Sequence, residues 1–418
     1  MSNYNYLERK IAFVLSKFPL VKLTIKKFYQ RINSLLYKKK YTHQCNFELQ
    51  KIAKEGASSF FGYYDKSPIN ITNEYVIFQS VNTETSTLPD PNIPIELVLY
   101  DLSLDNYSVI DKVLSYNWQQ GCKLMWLNDY RFIYNNYDEN KNAYISTIYD
   151  VKTKVIKVIN FPVYDCFEEK FALSLNFERL NIGRGDYAYT NKNEAIDWLD
   201  NDNDGLFYID LEKNTSKLLV SIQDAILINE QTTMRNARHK FNHIMISPDG
   251  RKVMFMHRWF TADNRRYDAL LVCSIDGSNL KVVANDGMVS HCCWNDNENI
   301  FSYLRDKDIG DKYFLVNIDT SKKQQIGENI INKFGDGHPS TYKNKVLFDT
   351  YPDKSRMKHL LIFDMATSEL NEVGKFYESF EYYAETRCDL HPRFSMDGKK
   401  VFIDSVHENK RYLYMMNV

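Results

Sequence analysis

Four histidines are the residues of this chain whose type and spacing most clearly suggest chemistry. They are His243, His291, His338 and His391, they follow one another at intervals of 48, 47 and 53 residues, and each opens a similar apolar stretch. Imidazole changes protonation near neutral pH and is a common ligand of transition metals. The regular spacing suggests one position in a structural repeat, so we expect the four rings to converge for acid–base catalysis or metal binding. The alternative is that each ring only caps a strand or hydrogen-bonds a turn.

Cationic and aromatic side chains lie near these histidines in the sequence. Arg258 and Arg387 could bind an anionic ligand, because a planar guanidinium pairs with a carboxylate through two hydrogen bonds. The aromatic residues could stack on sugar rings, or they could simply pack inside the fold. The further candidates for ligand binding are Lys66, Arg238, Trp259 and Tyr351, with Tyr63 and Tyr64 beside Lys66.

The elements that must position these residues repeat with a period of about 50 residues. His243 and His391 each stand six residues before an Asp-Gly pair, at 249–250 and 397–398. Short β-branched and aromatic runs between turn residues predict antiparallel strands. About seven such units follow residue 60, which predicts an all-β, seven-bladed β-propeller whose last blade is completed by an N-terminal strand. In the less regular first units we predict strands at 74–79, 96–101, 131–135, 143–149, 187–190 and 205–210.

The first 45 residues differ in pattern from the propeller predicted for residues 58–418. Between residues 6 and 41, apolar and basic residues are interleaved on both sides of Pro19. This pattern predicts one or two basic amphipathic helices, which could lie on the anionic inner face of a membrane. The segment could instead pack on the rim of the propeller or contact a protein partner.

Composition excludes several other classes of protein. Aromatic residues make up 14% of the 418 residues, which favours sheet over a helical bundle. The formal net charge of −1 provides no field that would attract nucleic acid. The seven cysteines show no Cys-x-x-Cys spacing, and we expect them to be reduced thiols of a cytoplasmic protein. No apolar run has the length of a membrane span, and no signal peptide is visible.

Several short motifs form a specific set when they are taken together. They are Phe-Gly-Tyr-Tyr-Asp-Lys-Ser-Pro at 61–68, Phe-Asn-His-Ile at 241–244, His-Arg-Trp at 257–259, Ser-His-Cys-Cys-Trp at 290–294, Asp-Gly-His-Pro at 336–339, Asp-Thr-Tyr-Pro-Asp at 349–353 and Arg-Cys-Asp-Leu-His-Pro-Arg-Phe at 387–394. The set resembles the propeller polysaccharide lyases of the oligogalacturonate and ulvan lyase type, and their relatives in bacterial surface-polysaccharide loci. The resemblance covers about residues 58–418.

This resemblance implies β-elimination at a uronic acid residue of an acidic oligosaccharide or polysaccharide. Such a reaction needs a cation that neutralises the carboxylate, a base that removes the C5 proton, and an acid that protonates the leaving oxygen. The implied candidates are Arg258 or Arg387 for the carboxylate, His243 or His291 for the base, and Tyr63 or Tyr64 for the acid.

The resemblance also suggests a divalent metal such as Mn²⁺, Ca²⁺ or Zn²⁺. The candidate ligands are His243, His291, His338 and His391, of which the last two could instead only complete the pocket. The chain departs from the oligogalacturonate lyases because it has no Gln-x-x-His-x-His cluster. A structural zinc bound by His291 with Cys292 or Cys293 is a further hypothesis.

Two other functions are compatible with this sequence. A propeller could be a non-catalytic scaffold or glycan-binding module of a membrane-associated polysaccharide-synthesis complex, since the fold hosts many unrelated functions. A glycosyl-transferring enzyme is the second alternative, although the chain has no Gly-rich loop for nucleotide phosphates. A cytoplasmic protein with a basic N-terminal anchor would meet lipid-linked or imported oligosaccharides, which favours a role in assembling or editing a surface glycan.

Overall fold

Seven antiparallel β-sheets follow one another along the chain. The computed structural model describes residues 19–183, 185–192 and 196–418. Within them, each sheet contains four consecutive strands, with two exceptions: the sixth sheet gains a fifth strand from the N-terminal end, and the last sheet combines three consecutive strands with one from the N-terminal end. Each sheet is one blade, and its first strand is the one nearest the central axis. The prediction of a seven-bladed β-propeller is confirmed.

The first four blades contain the strands β3 to β18. Blade 1 has β3 (Ser58–Phe60), β4 (Tyr75–Val81), β5 (Ile95–Asp101) and β6 (Asn106–Val113); blade 2 has β7 (Met125–Trp126), β8 (Arg131–Asp138), β9 (Ala143–Asp150) and β10 (Ile156–Ile159). Blade 3 has β11 (Asp165–Phe167), β12 (Phe171–Ser174), β13 (Gly205–Asp210) and β14 (Thr215–Ser221); blade 4 has β15 (Arg238–Ile246), β16 (Lys252–Phe260), β17 (Arg266–Ser274) and β18 (Lys281–Ala284).

The last three blades contain β19 to β29 and two strands from the N-terminal end. Blade 5 has β19 (Val289–Trp294), β20 (Asn299–Asp306), β21 (Gly310–Asn317) and β22 (Lys323–Gln325). Blade 6 has β23 (Ser340–Tyr342), β24 (Lys345–Asp349), β25 (Met357–Asp364), β26 (Glu369–Tyr377) and also β1 (His43–Cys45). Blade 7 has β27 (Arg393–Phe394), β28 (Lys400–Ser405), β29 (Tyr412–Asn417) and also β2 (Gln50–Ile52).

The N-terminal strand β2 closes the ring. It pairs antiparallel with β29, where Gln50 lies opposite Met415 and Ile52 opposite Leu413. This pairing satisfies the backbone hydrogen-bonding groups at the outer edge of the last blade, which could otherwise pair with another chain. The closure confirms the expectation from the sequence, whereas the addition of β1 to blade 6 was not predicted.

The strand predicted at 187–190 is wrong. The second strand of blade 3 is β12, and no strand occurs among the described residues between β12 and β13. Tyr189 in this connection is buried and stacks on Phe177, with ring centroids 4.6 Å apart. The aromatic run that suggested a strand therefore packs as part of a loop. Long loops of this kind in compact domains often carry function.

Helices are few in the described part of the chain. Helix α1 (Pro19–Leu36) precedes the propeller, and residues 6–18 of the predicted amphipathic segment lie outside the described residues. Helix α2 (Ile222–Leu227) begins with a capping box, in which Ser221 and Asp224 exchange side-chain-to-backbone hydrogen bonds of 2.9 and 3.0 Å. No helix in the described residues has the length and apolar character needed to cross a membrane.

Blade 4 buries two further histidines next to each other. His239 Nδ1 and His257 Nε2 lie 2.9 Å apart, and both rings are almost entirely excluded from solvent. Burial lowers the pKa of His239 to about 4. Burial, together with the neighbouring His239, holds the pKa of His257 well below its usual value. Both rings are therefore neutral at pH 7 in the folded protein.

We expect the free energy of unfolding to fall as the pH decreases from about 6.5 towards 4, because the unfolded chain then binds protons that the buried rings exclude. For His239 alone, a pKa lowered to about 4 corresponds to roughly 3 kcal/mol once the pH is below both values. Urea unfolding near pH 7 and near pH 4.5 measures the loss. The variant His239→Gln/His257→Gln should lose less stability over this range than the wild type, and an equal loss would contradict the interpretation.

Candidate active site at the propeller axis

Local backbone irregularities direct two of the four spaced histidines towards the axis. His243 has a φ of 51° and lies in β15 where the ladder with β16 shifts between Asn242 and Met245. His391 has a φ of 43° and lies two residues before β27. Positive φ is unusual for a residue other than glycine, and a bulge changes the direction of a side chain. Such conformations are found preferentially at functional sites.

The structure brings the four histidines together. The ring centroids of His243 and His291 are 6.3 Å apart, those of His291 and His338 are 4.0 Å apart, and those of His338 and His391 are 4.4 Å apart. All four side chains are buried. Residues separated by about 50 positions therefore form one continuous cluster, because each occupies the same place at the start of its blade.

A different neighbour holds the Nδ1 atom of each ring. His291 Nδ1 is 3.0 Å from Asp336 Oδ1, and His338 Nδ1 is 2.9 Å from Asp349 Oδ1. His391 Nδ1 donates to the carbonyl oxygen of residue 62 at 2.9 Å, and His243 Nδ1 lies 3.0 Å from the Tyr63 hydroxyl. An acceptor at Nδ1 fixes the tautomer that leaves Nε2 with its lone pair. This applies to His291, His338 and His391.

Burial and nearby charges give the rings different proton affinities. Burial, with Arg258 nearby, holds the pKa of His243 well below its usual value. Burial also lowers the pKa of His291, although Asp336 opposes the effect. Burial acts against protonation of His338 too, but the carboxylates of Asp349, Asp389 and Asp336 together outweigh it and raise the pKa of this ring. The cluster therefore contains rings of lowered and of raised proton affinity side by side.

A cavity opens beside two of the histidines. The residues that line it come from first strands, from the end of β16 and the start of β17, from the loops between second and third strands, and from a connection between blades. These positions share one face of the propeller. The lining residues are Tyr187, Lys240, His243, Arg258, Phe260, Arg266, Ser290, His291, Tyr351 and Arg387.

The described wall of this cavity is cationic. It includes one lysine and three arginines and no carboxylate. The acidic partners stand behind the wall: Asp268 binds Arg258, and Asp389 accepts a hydrogen bond of 2.6 Å from Arg387 Nε. These pairs hold the guanidiniums in place while their remaining surface faces the cavity. The arrangement favours an anionic ligand, and the planar groups match a carboxylate.

Of the two tyrosines predicted to be the acid, neither lines the cavity. The Tyr63 hydroxyl contacts His243 from behind, and its ring stacks on that imidazole with centroids 5.3 Å apart. The Tyr64 hydroxyl donates to the carbonyl oxygen of Cys292 at 2.9 Å and accepts from the Cys292 amide at 3.2 Å. Tyr63 is therefore placed to orient His243, whereas Tyr64 ties the first blade to blade 5.

The residues predicted to bind substrate separate into two groups. Tyr351 lines the cavity and is 40% exposed. Trp259 is completely buried in blade 4 and donates to Thr233 Oγ1 at 3.1 Å. Arg238 binds the side chain of Asn264, and Lys66 pairs with Asp165. The structure does not bring these last three to the cavity.

Several residues at the site were not identified from the sequence. They are the lining residues Tyr187, Lys240 and Arg266 and the aspartates Asp336, Asp349 and Asp389. One signal was present for two of them, since Asp336 and Asp389 each stand two residues before a spaced histidine. The others come from a loop and from first, second and third strands, and no spacing marks them.

Three buried residues could hold a metal ion. Ligand atoms of His338, Asp389 and His391 all lie within 4.8 Å of one another. The Nε2 atoms of the two histidines are buried and have no hydrogen-bond partner. Burial disfavours the charge on Asp389, but Arg387, Lys358 and the two histidines together outweigh it and keep the pKa of this carboxyl well below its usual value. Two imidazoles and one carboxylate fit a divalent transition metal, and the Asp349 contact to His338 is typical of the support such ligands have.

The other predicted metal ligands lie outside this group. His243 and His291 are neighbours of the cluster but are not among the three residues whose ligand atoms meet. Cys292 and Cys293 are buried, and burial raises the pKa of the Cys293 thiol to about 12. A thiol must lose its proton to bind zinc, so this environment does not favour the zinc site suggested from the sequence.

Comparisons with known proteins show similarity of fold. No protein-family model matches the sequence, and no curated protein matches it. The structure is similar to that of an oligogalacturonate lyase from Vibrio parahaemolyticus, with a TM-score of 0.58 and 12% identity over 91% of this chain and 99% of that chain. It is similar to an oligogalacturonate lyase in complex with manganese, with a TM-score of 0.61 and 14% identity over 90% of this chain and 94% of that chain. The chain is thus a seven-bladed propeller whose fold resembles that of oligogalacturonate lyases.

Proposed function

We propose that this protein cleaves an acidic glycan by β-elimination at a uronic acid residue. The observation that carries the proposal is that His291, held by Asp336, shares the wall of one cavity with Arg258 and Arg387. A base next to guanidiniums suits a substrate whose carboxylate is adjacent to the proton that must leave. The likeness in fold to oligogalacturonate lyases supports the same chemistry.

The first half of the reaction is the removal of a proton. Arg258 and Arg387 bind the uronate carboxylate and neutralise the charge that develops on it as the C5 proton leaves. His291 takes this proton at Nε2, because Asp336 holds Nδ1 and because burial keeps the ring neutral at pH 7. His243 lines the same cavity and is the alternative base.

The second half of the reaction breaks the glycosidic bond. The electron pair left at C5 forms the C4–C5 double bond, and the C4–O bond breaks. The leaving oxygen then needs a proton, and the hydroxyls on the cavity wall belong to Tyr187 and Tyr351. A phenol is protonated at neutral pH and can donate. We therefore assign the acid role to Tyr351 or Tyr187 in preference to Tyr63 or Tyr64.

A divalent cation held by His338, Asp389 and His391 would add positive charge that stabilises the carboxylate as its proton leaves. Arg387 connects these three residues to the cavity, since it lines the wall and also binds Asp389. The three candidate metal ligands and the cationic cavity wall would thus both favour binding of an anionic substrate.

The proposal is tested by incubating the protein with a panel of uronic-acid glycans and recording the ultraviolet absorbance of the unsaturated product. Neutral glycans of the same length are the control, because they lack the carboxylate that elimination requires. We expect absorbance to rise with at least one uronate glycan and with none of the neutral ones. Binding of uronate glycans without any product would instead support the glycan-binding module.

Addition of Mn²⁺ is expected to raise the melting temperature of the wild-type protein by about 5 °C at roughly 100 times Kd, because a ligand that binds only the folded state stabilises it. Ca²⁺ should give a smaller shift, since it prefers six to eight oxygen ligands over imidazole. The variant His391→Ala should lose the Mn²⁺ shift, whereas His359→Ala, outside the three-residue group, should keep it. Equal shifts in both variants would place the metal elsewhere.

A further inference from the structure

Helix α1 turns its apolar side away from the propeller. Phe28, Leu35 and Leu36 are 67%, 77% and 74% exposed, and Ile25 and Ile32 on the same side are also exposed. Positions 25, 28, 32 and 35 follow the spacing of one helical face. On the other side, Asn33 is only 7% exposed although it is polar. An amphipathic helix normally buries its apolar face. Here that face is exposed, which marks it as a candidate binding surface.

Only positive charges accompany this apolar stripe. Lys26, Lys27 and Arg31 lie on the helix and are exposed, and the exposed residues 38–40 that follow it are all lysine. No acidic residue occurs between residues 19 and 47. Two copies of such a surface would bring like charges together, which disfavours pairing of the helix with itself. A partner with a negatively charged surface and an apolar interior matches both the positive charges and the apolar stripe of the helix.

The helix lies on the face of the propeller that carries the cavity. Lys27 Nζ is 5.8 Å from the ring centroid of Tyr383, and Lys354 Nζ is 6.0 Å from that of Tyr37, just after the helix. Tyr383 lies in the connection that leads to Arg387, and Lys354 lies in the loop that contains Tyr351. Both loops contribute to the cavity wall.

We propose that α1 docks this protein on the surface of an anionic phospholipid membrane, with the cavity mouth turned towards the bilayer. Apolar side chains enter the boundary between headgroups and acyl chains, and the flanking cations are attracted to anionic lipids. This extends the proposed function and rests on it in one respect: the acidic glycan that reaches the cavity would be one attached to a membrane lipid.

Sedimentation with lipid vesicles tests the docking. The full chain is mixed with vesicles of phosphatidylcholine alone or of phosphatidylcholine with phosphatidylglycerol. We expect binding to the second kind only, with a loss as salt is added. The variant Phe28→Ser/Leu35→Ser/Leu36→Ser should bind at least tenfold less. The matched control Leu104→Ser/Val155→Ser/Met396→Ser replaces apolar residues of similar exposure in turns on the opposite face of the propeller and should bind as the wild type does.

Several results would overturn the docking. Equal binding of the two triple variants would show that α1 is not the contact, and equal binding to both vesicle compositions would exclude charge recognition. A wild-type dimer in sedimentation velocity that the α1 variant converts to a monomer would show that a second copy covers the helix. Elimination on soluble glycans is measured without vesicles, so its outcome is independent of these results.

Discussion

Replacing His291 with alanine is expected to lower kcat for elimination by about 10³-fold, within the range by which a positioned general base accelerates proton removal. KM should change little, because the cations of the wall remain. The ultraviolet assay of the unsaturated product measures both parameters. His359→Ala is the matched control, since His359 lies on β25 outside the cavity and contacts Glu372 and Asp353. An unchanged kcat in the His291 variant would transfer the base role to His243 or refute the elimination.

The variant Asp336→Asn separates two effects of Asp336 on His291, which are the orientation of the ring and its affinity for a proton. Asparagine can still accept the hydrogen bond from His291 Nδ1, but it removes the negative charge that raises the pKa of this ring. The pKa of His291 should therefore fall, and the acidic limb of the kcat/KM profile should move to lower pH. A loss of about tenfold in kcat is expected. A profile that keeps its acidic limb unchanged would show that His291 is not the titrating base.

Replacing Arg393 with methionine is expected to destabilise the protein by about 3 to 5 kcal/mol, because it leaves Asp404 buried without its cation. Arg393 is 1% exposed and donates to Asp404 Oδ2 at 3.1 Å and to the carbonyl oxygen of His391 at 2.6 Å. Asp404 in turn accepts from the backbone amides of residues 61 and 62. The pair thus joins blade 7 to the start of blade 1. Denaturant unfolding measures the loss.

Two further variants decide whether the uncompensated charge is the cause. Arg393→Met/Asp404→Asn removes the buried charge while an amide oxygen remains for the backbone, so it should recover part of the loss. The exposed pair Arg305–Asp311 is the matched control, and Arg305→Met should cost less than about 1 kcal/mol. If the double variant is no more stable than Arg393→Met, the destabilisation comes from lost packing and not from charge.

The convergence of the histidines was predictable from the sequence because units that repeat along the chain of a propeller are arranged in a ring around one axis. Each blade repeats the same path, so residues at the same repeat position arrive at the same radius. The same reasoning predicted seven blades and the closure by an N-terminal strand. It did not predict the positive φ at His243 and His391, or the shift in the strand ladder at His243, which direct the rings.

Most of the residues that surround the histidines could not be predicted from the sequence. Asp336 and Asp389 could have been found from the shared Asp-x-His spacing, but Asp349 belongs to the second strand of a blade. Tyr187 was assigned to a strand because its neighbours are aromatic, yet it lines the cavity from a long loop. Trp259 was predicted to stack on a sugar ring. It lies instead in the hydrophobic core, because the alternation of side chains along the strand directs it inwards.

Periodicity in the sequence thus determined the fold, the number of blades, the ring closure and the meeting of the four histidines, since these depend on local strand pattern and on its repetition. Periodicity also revealed an apolar stripe and a basic stripe in the N-terminal segment. Only the tertiary structure decided which aspartates and cations surround each imidazole, which tyrosines line the cavity, and which way α1 faces. Those properties arise from contacts between distant segments, and such contacts leave no spacing in the chain from which they could be inferred.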